Sequence, residues 1–209
     1  MSIRMIEIIE CEQQSPEWFE AHMGISSASV FKTLLASGKK AGSDSLERAK
    51  LIGKKAGELI TGQPDPSGYT NANMQRGNEM EAEARLQYAF LNPQANLVQV
   101  GFIRNGKAGC SPDSLVDSKG MLEIKTAWPH ILLAHKARKE FPAEHRPQVQ
   151  GQLWVADREW CDLVIYWPRM RPFIVRAYRD EAYIRDLEAA VDAFNLEVAE
   201  AVETYNRGD

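Results

Sequence analysis

Only three of the 209 residues are cysteine, and they stand far apart at Cys11, Cys110 and Cys161. An odd, scattered set excludes a disulfide framework and the paired spacings of zinc or redox motifs, and it suits a reduced, cytoplasmic protein. Long hydrophobic runs are also missing. The stretch from Met1 to Glu10 is interrupted by Arg4, Glu7 and Glu10, so it reads neither as a signal peptide nor as a membrane span, and no membrane association is expected. There is no internal repeat and no low-complexity tract; the loosest segment, Gly62 to Gly68, reads as a loop between helices. With 44% hydrophobic residues, a chain of this length builds one sizeable core and leaves little room for another, so a single domain over residues 1–209 is expected.

A strong excess of either charge is absent as well: 25 bases against 29 acids give −4. The distribution is uneven. Arg179 to Asp209 holds nine acids and three bases, which leaves 22 bases and 20 acids for residues 1–178. A mildly basic body with an acidic tail does not exclude a polyanionic partner, because a local basic surface decides that matter.

Ser15 and Pro16 predict the cap and first residue of a short helix that carries Trp18 and stops at Gly24, and a second helix is expected from Ser26 or Ser27. Helical composition continues over about Ser43–Ile60 and Asn71–Leu91. The texture then turns to β: Asn96–Arg104, an Asn105-Gly106 turn, Lys107–Val116, a Ser118-Lys119-Gly120 turn and Met121–Thr126 predict a three-strand meander. Helices over Trp128–Lys139 and from Pro147 to Ala156, then strands Trp160–Trp167 and Phe173–Tyr178, follow. Ile184, Leu187, Val191, Phe194, Val198 and Val202 recur at steps of three and four, predicting an amphipathic closing helix. The fold class is α/β, a central mixed sheet flanked by helices.

Chemistry concentrates at Ser111-Pro112-Asp113 and Glu123-Ile124-Lys125. Glu123 and Lys125, two apart on a strand, leave the same face, and the hairpin can bring Asp113 beside them. Hard Mg²⁺ takes oxygen ligands and keeps waters, so Asp113, Glu123 and the Ile124 backbone carbonyl suit it, while Lys125 would orient water and stabilise charge on a phosphate. Pro-Asp followed by acid-x-Lys arises by chance in roughly one chain in twenty of such composition, so the pattern needs independent support. The competing reading is a pair of surface charges on a half-exposed strand. Against it stand Met121, Leu122 and Ile124, which mark a buried strand where unpaired charge is costly.

That support comes from ordered blocks: Gln14-Ser15-Pro16-Glu17-Trp18, Gly24-Ile25-Ser26-Ser27-Ala28-Ser29, Arg76-Gly77-Asn78-Glu79-Met80-Glu81, Cys110-Ser111-Pro112-Asp113, Glu123-Ile124-Lys125 and Gln148-Val149-Gln150-Gly151-Gln152-Leu153-Trp154. Together they resemble the λ-type phage exonucleases with the YqaJ viral recombinase domain, a branch of the PD-(D/E)xK nucleases with a restriction-endonuclease-like core. The resemblance implies Mg²⁺-dependent degradation of one strand of linear duplex DNA from its 5′ end, with two metal ions and Mn²⁺ as a substitute. It also implies a ring-shaped homotrimer, a single-strand annealing partner, and a phage or prophage origin with work in the bacterial cytoplasm. Glu81 matches the helical glutamate that completes the metal site; its alternative is an i,i+4 pair with Arg85. The 5′-phosphate pocket corresponds to Ser29, Ser111 and Gln150. His22 stands where the family often has arginine; it can donate to phosphate but lacks a guanidinium's bidentate geometry.

Bases cluster at Lys39, Lys40, Arg48, Lys50, Lys54 and Lys55, and at Lys136, Arg138, Lys139 and Arg146. These are candidates for backbone-phosphate contacts or merely solvated helix faces. Two other functions remain open at this point: an endonuclease of the same superfamily, and a catalytically silent DNA-binding scaffold. The full set of Glu81, Asp113, Glu123 and Lys125 argues against the second, since binding alone needs no metal centre.

Overall fold

In the computed structural model, residues 6–36, 45–65 and 72–208 are described, with backbone alone for 72–79. Lys39, Lys40 and the side chain of Glu79 lie outside the described residues, as does the end of the 62–68 loop. The elements run β1 (Ile6–Ile9), α1 (Pro16–His22), β2 (Ser26–Ser27), a 3-10 turn (Ala28–Val30), α2 (Phe31–Leu34), α3 (Leu46–Thr61) and α4 (Ala72–Leu91). Then come β3 (Leu97–Val98), β4 (Phe102–Asn105), β5 (Ala108–Cys110), β6 (Ser114–Val116) and β7 (Gly120–Thr126). The remainder is α5 (Pro129–Arg138), a 3-10 turn (Ala143–His145), α6 (Arg146–Val155), β8 (Trp160–Tyr166), β9 (Phe173–Tyr178) and α7 (Glu181–Arg207).

Two sheets replace the expected meander. The larger has the order β3-β6-β7-β8-β9, with β7 and β8 parallel and the other pairs antiparallel; the smaller has the order β1-β4-β5-β2. Both long predicted strands divide and change sheets. The first divides at Gly101, where the chain runs so close to Cys11 that a Cβ would sit 2.3 Å from the Cys11 carbonyl oxygen. The second divides around Pro112, which has no N–H to continue a ladder. The helix expected from Ser26 is corrected likewise: Ser26 and Ser27 pair in parallel with Ala108 and Gly109 before the short helical turns begin.

The parallel β7/β8 pair needs a crossover, which α5 and α6 supply. Strand β7 is covered on both faces. Leu122 and Ile124 pack with Ala84 and Tyr88 of α4, whereas Met121 joins Val149 and Leu153 of α6 and the apolar stripe of α7. That stripe matches the expected spacing, with Ile184, Leu187, Val191, Phe194 and Val198 buried and Val202 packed at the margin. Helix α6 approaches closely because residue 151 is glycine: a Cβ there would lie 2.3 Å from the Phe31 ring. Among the described residues no helix is long and apolar enough to cross a membrane.

Candidate active site

Glu123 and Lys125 leave the same face of β7, and their side chains meet, with Lys125 Nζ 2.7 Å from Glu123 Oε1. Glu123 is only 3% exposed. A carboxylate so deeply placed needs donors, and α6 provides two: Gln148 Nε2 donates to Oε1 at 2.7 Å and Gln152 Nε2 to Oε2 at 2.6 Å. These glutamines are one helical turn apart and so share a face. Among the described residues the Oε1 of Gln152 is buried without a hydrogen-bond partner.

Asp113 reaches the group from the segment that joins the two sheets. Its backbone N–H donates to Leu122 O at 3.1 Å, while its Oδ2 accepts from the Ile124 N–H at 2.5 Å. Glu81, on α4, is bonded to Arg85, whose Nε also donates to Ser114 Oγ at 3.2 Å. The i,i+4 pair anticipated for Glu81 and Arg85 therefore forms, but beside the site rather than on an open helix face.

The electrostatics are those of crowded acids. Burial, then Glu123 and Glu81, push the Asp113 carboxyl well above the ordinary range, against the Ile124 N–H and Lys125. Burial likewise raises Glu81, partly opposed by Arg85. For Lys125 burial disfavours the ammonium, yet Glu123 and Asp113 outweigh it and its pKa is raised, so the lysine stays charged. Nearby His145 has a lowered pKa, from burial and then from Lys125. Three carboxylates within electrostatic reach of one another, together with the Ile124 carbonyl, make a hard oxygen donor set that fits a divalent cation such as Mg²⁺ or Mn²⁺. Among the described residues no three His, Cys, Asp or Glu side chains stand in a ready-made ligand cluster, since Arg85, Ile124 N–H, Lys125 and the two glutamines hold the acids.

The remaining expected site residues separate into two groups. Ser111 precedes Pro112 and Asp113 in the same segment, and its Oγ accepts from Trp18 Nε1 at 2.9 Å, which leaves the hydroxyl proton to be donated. Gln13 holds the same segment by donating to the carbonyls of Val100 and Pro112, at 3.0 and 3.2 Å. Ser29 is exposed and bonded to Ser27 at 2.8 Å; the parallel pairing of Ser27 with Gly109 carries Ser29 and Ser111 to the same end of the smaller sheet.

Gln150 is a correction. Its Nε2 donates to Tyr178 O and its Oε1 accepts from Asp180 N, both at 2.9 Å, so its amide closes the junction of β9 and α7. Gln148 and Gln152, which sequence reasoning did not single out, are the glutamines that meet Glu123; their one-turn spacing was the available signal. His22 is a second correction. Its ring lies between Trp18 and Phe102, with centroids 3.7 and 3.9 Å away, and its Nδ1 is 2.7 Å from Trp18 O. Burial brings its pKa down to about 4, so it is neutral near pH 7, and with Nδ1–H given to Trp18 the other nitrogen is an acceptor, unsuited to phosphate.

The basic cluster of α3 is corrected for a related reason. Arg48 makes a two-pronged pair with Glu197 of α7, at 2.5 and 2.6 Å, and Lys55 is buried against Glu58 and His22 O. Lys50 and Lys54 face Glu47 and Asp65. Arg146 pairs with Asp180 at 2.6 Å and lies over the Tyr183 ring. Lys136 and Arg138 on α5 and Lys139 just after it carry no ion pair among the described residues.

The family model that describes a YqaJ-like viral recombinase domain matches residues 17–159. An alkaline exonuclease from Laribacter hongkongensis has a similar structure, with a TM-score of 0.81 and 29% identity over 93% of this chain and 97% of that one. The same enzyme in complex with dAMP aligns at 30% identity with equal coverage and TM-score. A phage-related exonuclease from Haemophilus somnus 129PT shares the fold, at TM-score 0.67 and 17% identity over 87% of this chain and 96% of that one. No curated protein matches the sequence significantly.

Proposed function

Because the chain belongs to the YqaJ-like viral recombinase domain family, we propose that it is a divalent-metal-dependent alkaline exonuclease that hydrolyses one strand of linear duplex DNA from its 5′ end. The observation that carries this reading is the meeting of Asp113, Glu123 and Lys125 on β7 and its neighbour, with Glu81 close by on α4. Binding alone gives no reason to gather three acids and a lysine at one buried point.

Asp113, Glu123, Glu81 and the Ile124 carbonyl would hold the metal, which would supply Lewis-acid activation of water and neutralise charge on the phosphate. Lys125, kept cationic by the acids around it, is placed to orient the attacking water and to stabilise the negative charge that develops as the P–O bond breaks. Gln148 and Gln152 keep the Glu123 carboxylate in one orientation. Ser111, held by Trp18, and Ser29, bonded to Ser27, would donate to a terminal 5′-phosphate.

The wider role is recombination by single-strand annealing, in a bacterial cell and with phage or prophage ancestry, beside an annealing protein. The chain acts as one nuclease domain closed by α7, assembled as a ring of three with Mg²⁺ as the working ion. The test is digestion of end-labelled linear duplex beside a closed circle, with and without Mg²⁺. Loss of the linear duplex from its 5′ ends only with metal is the expected result. Efficient nicking of the circle would reassign the protein to the endonucleases, and no cleavage of either DNA would leave a binding scaffold.

A further inference from the structure

We propose that Arg85 is a positioning residue of the metal centre, which sets the Glu81 carboxylate at a fixed place relative to Asp113 by way of Ser114. This rests on the metal-dependent nuclease reading above. An i,i+4 acid–base pair on an open helix face restrains little beyond its own two side chains. Here the same guanidinium reaches past the helix. Its Nη2 donates to Glu81 Oε1, while its Nε donates to Ser114 Oγ at 3.2 Å. Ser114 is the first residue of β6, fully buried, and it directly follows Asp113.

The hydroxyl of Ser114 has one proton, which goes to the Asp113 carbonyl oxygen at 2.6 Å. Its lone pairs therefore face Arg85, and the bonds run in one direction, from guanidinium to hydroxyl to the backbone of Asp113. The tie joins parts that are distant in the chain, since Glu81 comes from α4 and Asp113 from the segment between β5 and β6. With its amide oriented to suit these donors, Gln99, just past β3, adds a third hold: its oxygen accepts from Nη1 at 3.1 Å and from Nη2 at 3.2 Å. A guanidinium is planar and rigid, so acceptors bonded to its Nε and Nη2 are kept at one separation, which an ammonium on a flexible stem cannot do. Glu81 Oε2 makes no hydrogen bond among the described residues and is the oxygen left for a cation.

The helix does not depend on Arg85 for its seat. Tyr88 is buried against the sheet together with Ala84, and its hydroxyl donates to Asp162 Oδ2 at 2.7 Å. Docking of α4 and aiming of Glu81 thus fall to different side chains, Tyr88 and Arg85. The two can be perturbed separately.

The experiment is calorimetric titration of Mn²⁺ into the full chain without DNA, so that binding rather than turnover is read. Arg85→Lys keeps the charge and loses the fork; it should raise the Kd about 10- to 100-fold, the usual cost of removing a group that orients a metal ligand. Ser114→Ala, which leaves the Glu81–Arg85 pair in place, should raise the Kd as well, and the double variant should bind no worse than Arg85→Lys alone. Tyr88→Phe should lower the melting temperature in EDTA and bind Mn²⁺ as wild type does. Circular dichroism checks each fold, and Ser114→Ala, which removes one oxygen, carries the test if Arg85→Lys does not fold. Wild-type affinity in Arg85→Lys overturns the proposal. So does Tyr88→Phe that weakens metal binding as much, because the site would then answer to the seating of α4 in general. Unchanged binding by Ser114→Ala overturns it too, reducing Arg85 to a charge beside Glu81. A wild type that binds no Mn²⁺ would instead sink the metal-centre reading itself, and the role of Arg85 with it.

Discussion

Substituting Asp113 with asparagine should inactivate the protein and yet make its metal-free form more stable. Asp113 lies beside Glu123 and Glu81, and burial with those two like charges holds its carboxyl well above the ordinary range. The sign follows from linkage. A raised folded-state pKa means that the group's contribution is present below the unfolded value, near 4, and is lost as pH rises through the folded value. At pH 8, where an alkaline nuclease would work, that contribution is diminished, so Asp113 leaves the metal-free fold less stable than a neutral residue would. Asparagine removes the charge and can keep the amide acceptor for the Ile124 N–H. Relief of such a strained functional site is commonly worth about 0.5–2 kcal/mol, and for a chain of this size each kcal/mol moves Tm by about 2–4 °C, so a rise of a few degrees is expected in EDTA. Saturating Mg²⁺ or Mn²⁺ should reverse the order, because a ligand at about 100 times its Kd adds about 2.7 kcal/mol to a protein that binds it and nothing to one that does not. Differential scanning calorimetry at pH 8 in EDTA and in metal reads both halves. An Asp113→Asn variant that melts below wild type in EDTA, or that gains as much from metal as wild type does, refutes the assignment of Asp113 to a crowded metal-binding acid cluster.

Lys125→Ala should lower the rate of end digestion by at least about 10²; near wild-type digestion would sink the mechanism. Gln152→Leu should raise the Mn²⁺ concentration needed for binding by calorimetry, whereas Gln150→Leu should cost stability and leave metal binding alone; the reverse pattern would return Gln150 to the site. Asp162→Ala should destabilise the fold by about 2–4 kcal/mol in urea unfolding, since the buried carboxylate holds Tyr88 at 2.7 Å and both prongs of Arg176. His22, with its pKa down to about 4, contributes stability that is complete above about 6.5 and is lost as pH falls towards 4, up to about 3 kcal/mol; His22→Phe should flatten that part of the pH–stability curve, and an unaltered slope would show that the ring is not desolvated.

The α/β class, the helix caps at Ser15 and Pro16, the α7 stripe and the same-face placement of Glu123 and Lys125 were legible in the sequence alone, because each depends on a local period or a residue's own backbone preference. Asp113 was legible from its spacing to Glu123 and the hairpin between them, whereas Glu81 was legible only as a member of the ordered blocks, for nothing in its immediate neighbours says what it will face. Tertiary structure decided the rest. Gln148 and Gln152 meet Glu123, and Gly151 between them lies against the Phe31 ring, because only packing fixes which side of α6 turns to β7. Arg48 and Lys55 cease to be surface cations because α7 and the Gly24 turn bring acids and carbonyls to them from 149 and 33 residues away in the chain. His22 loses the role of a phosphate donor because Trp18 and Phe102 close around it, and desolvation outweighs the intrinsic basicity of an imidazole. Spacing dictates which side chains can share a face, whereas burial and partners, which only the packed chain supplies, dictate what charge each carries and which donor it meets.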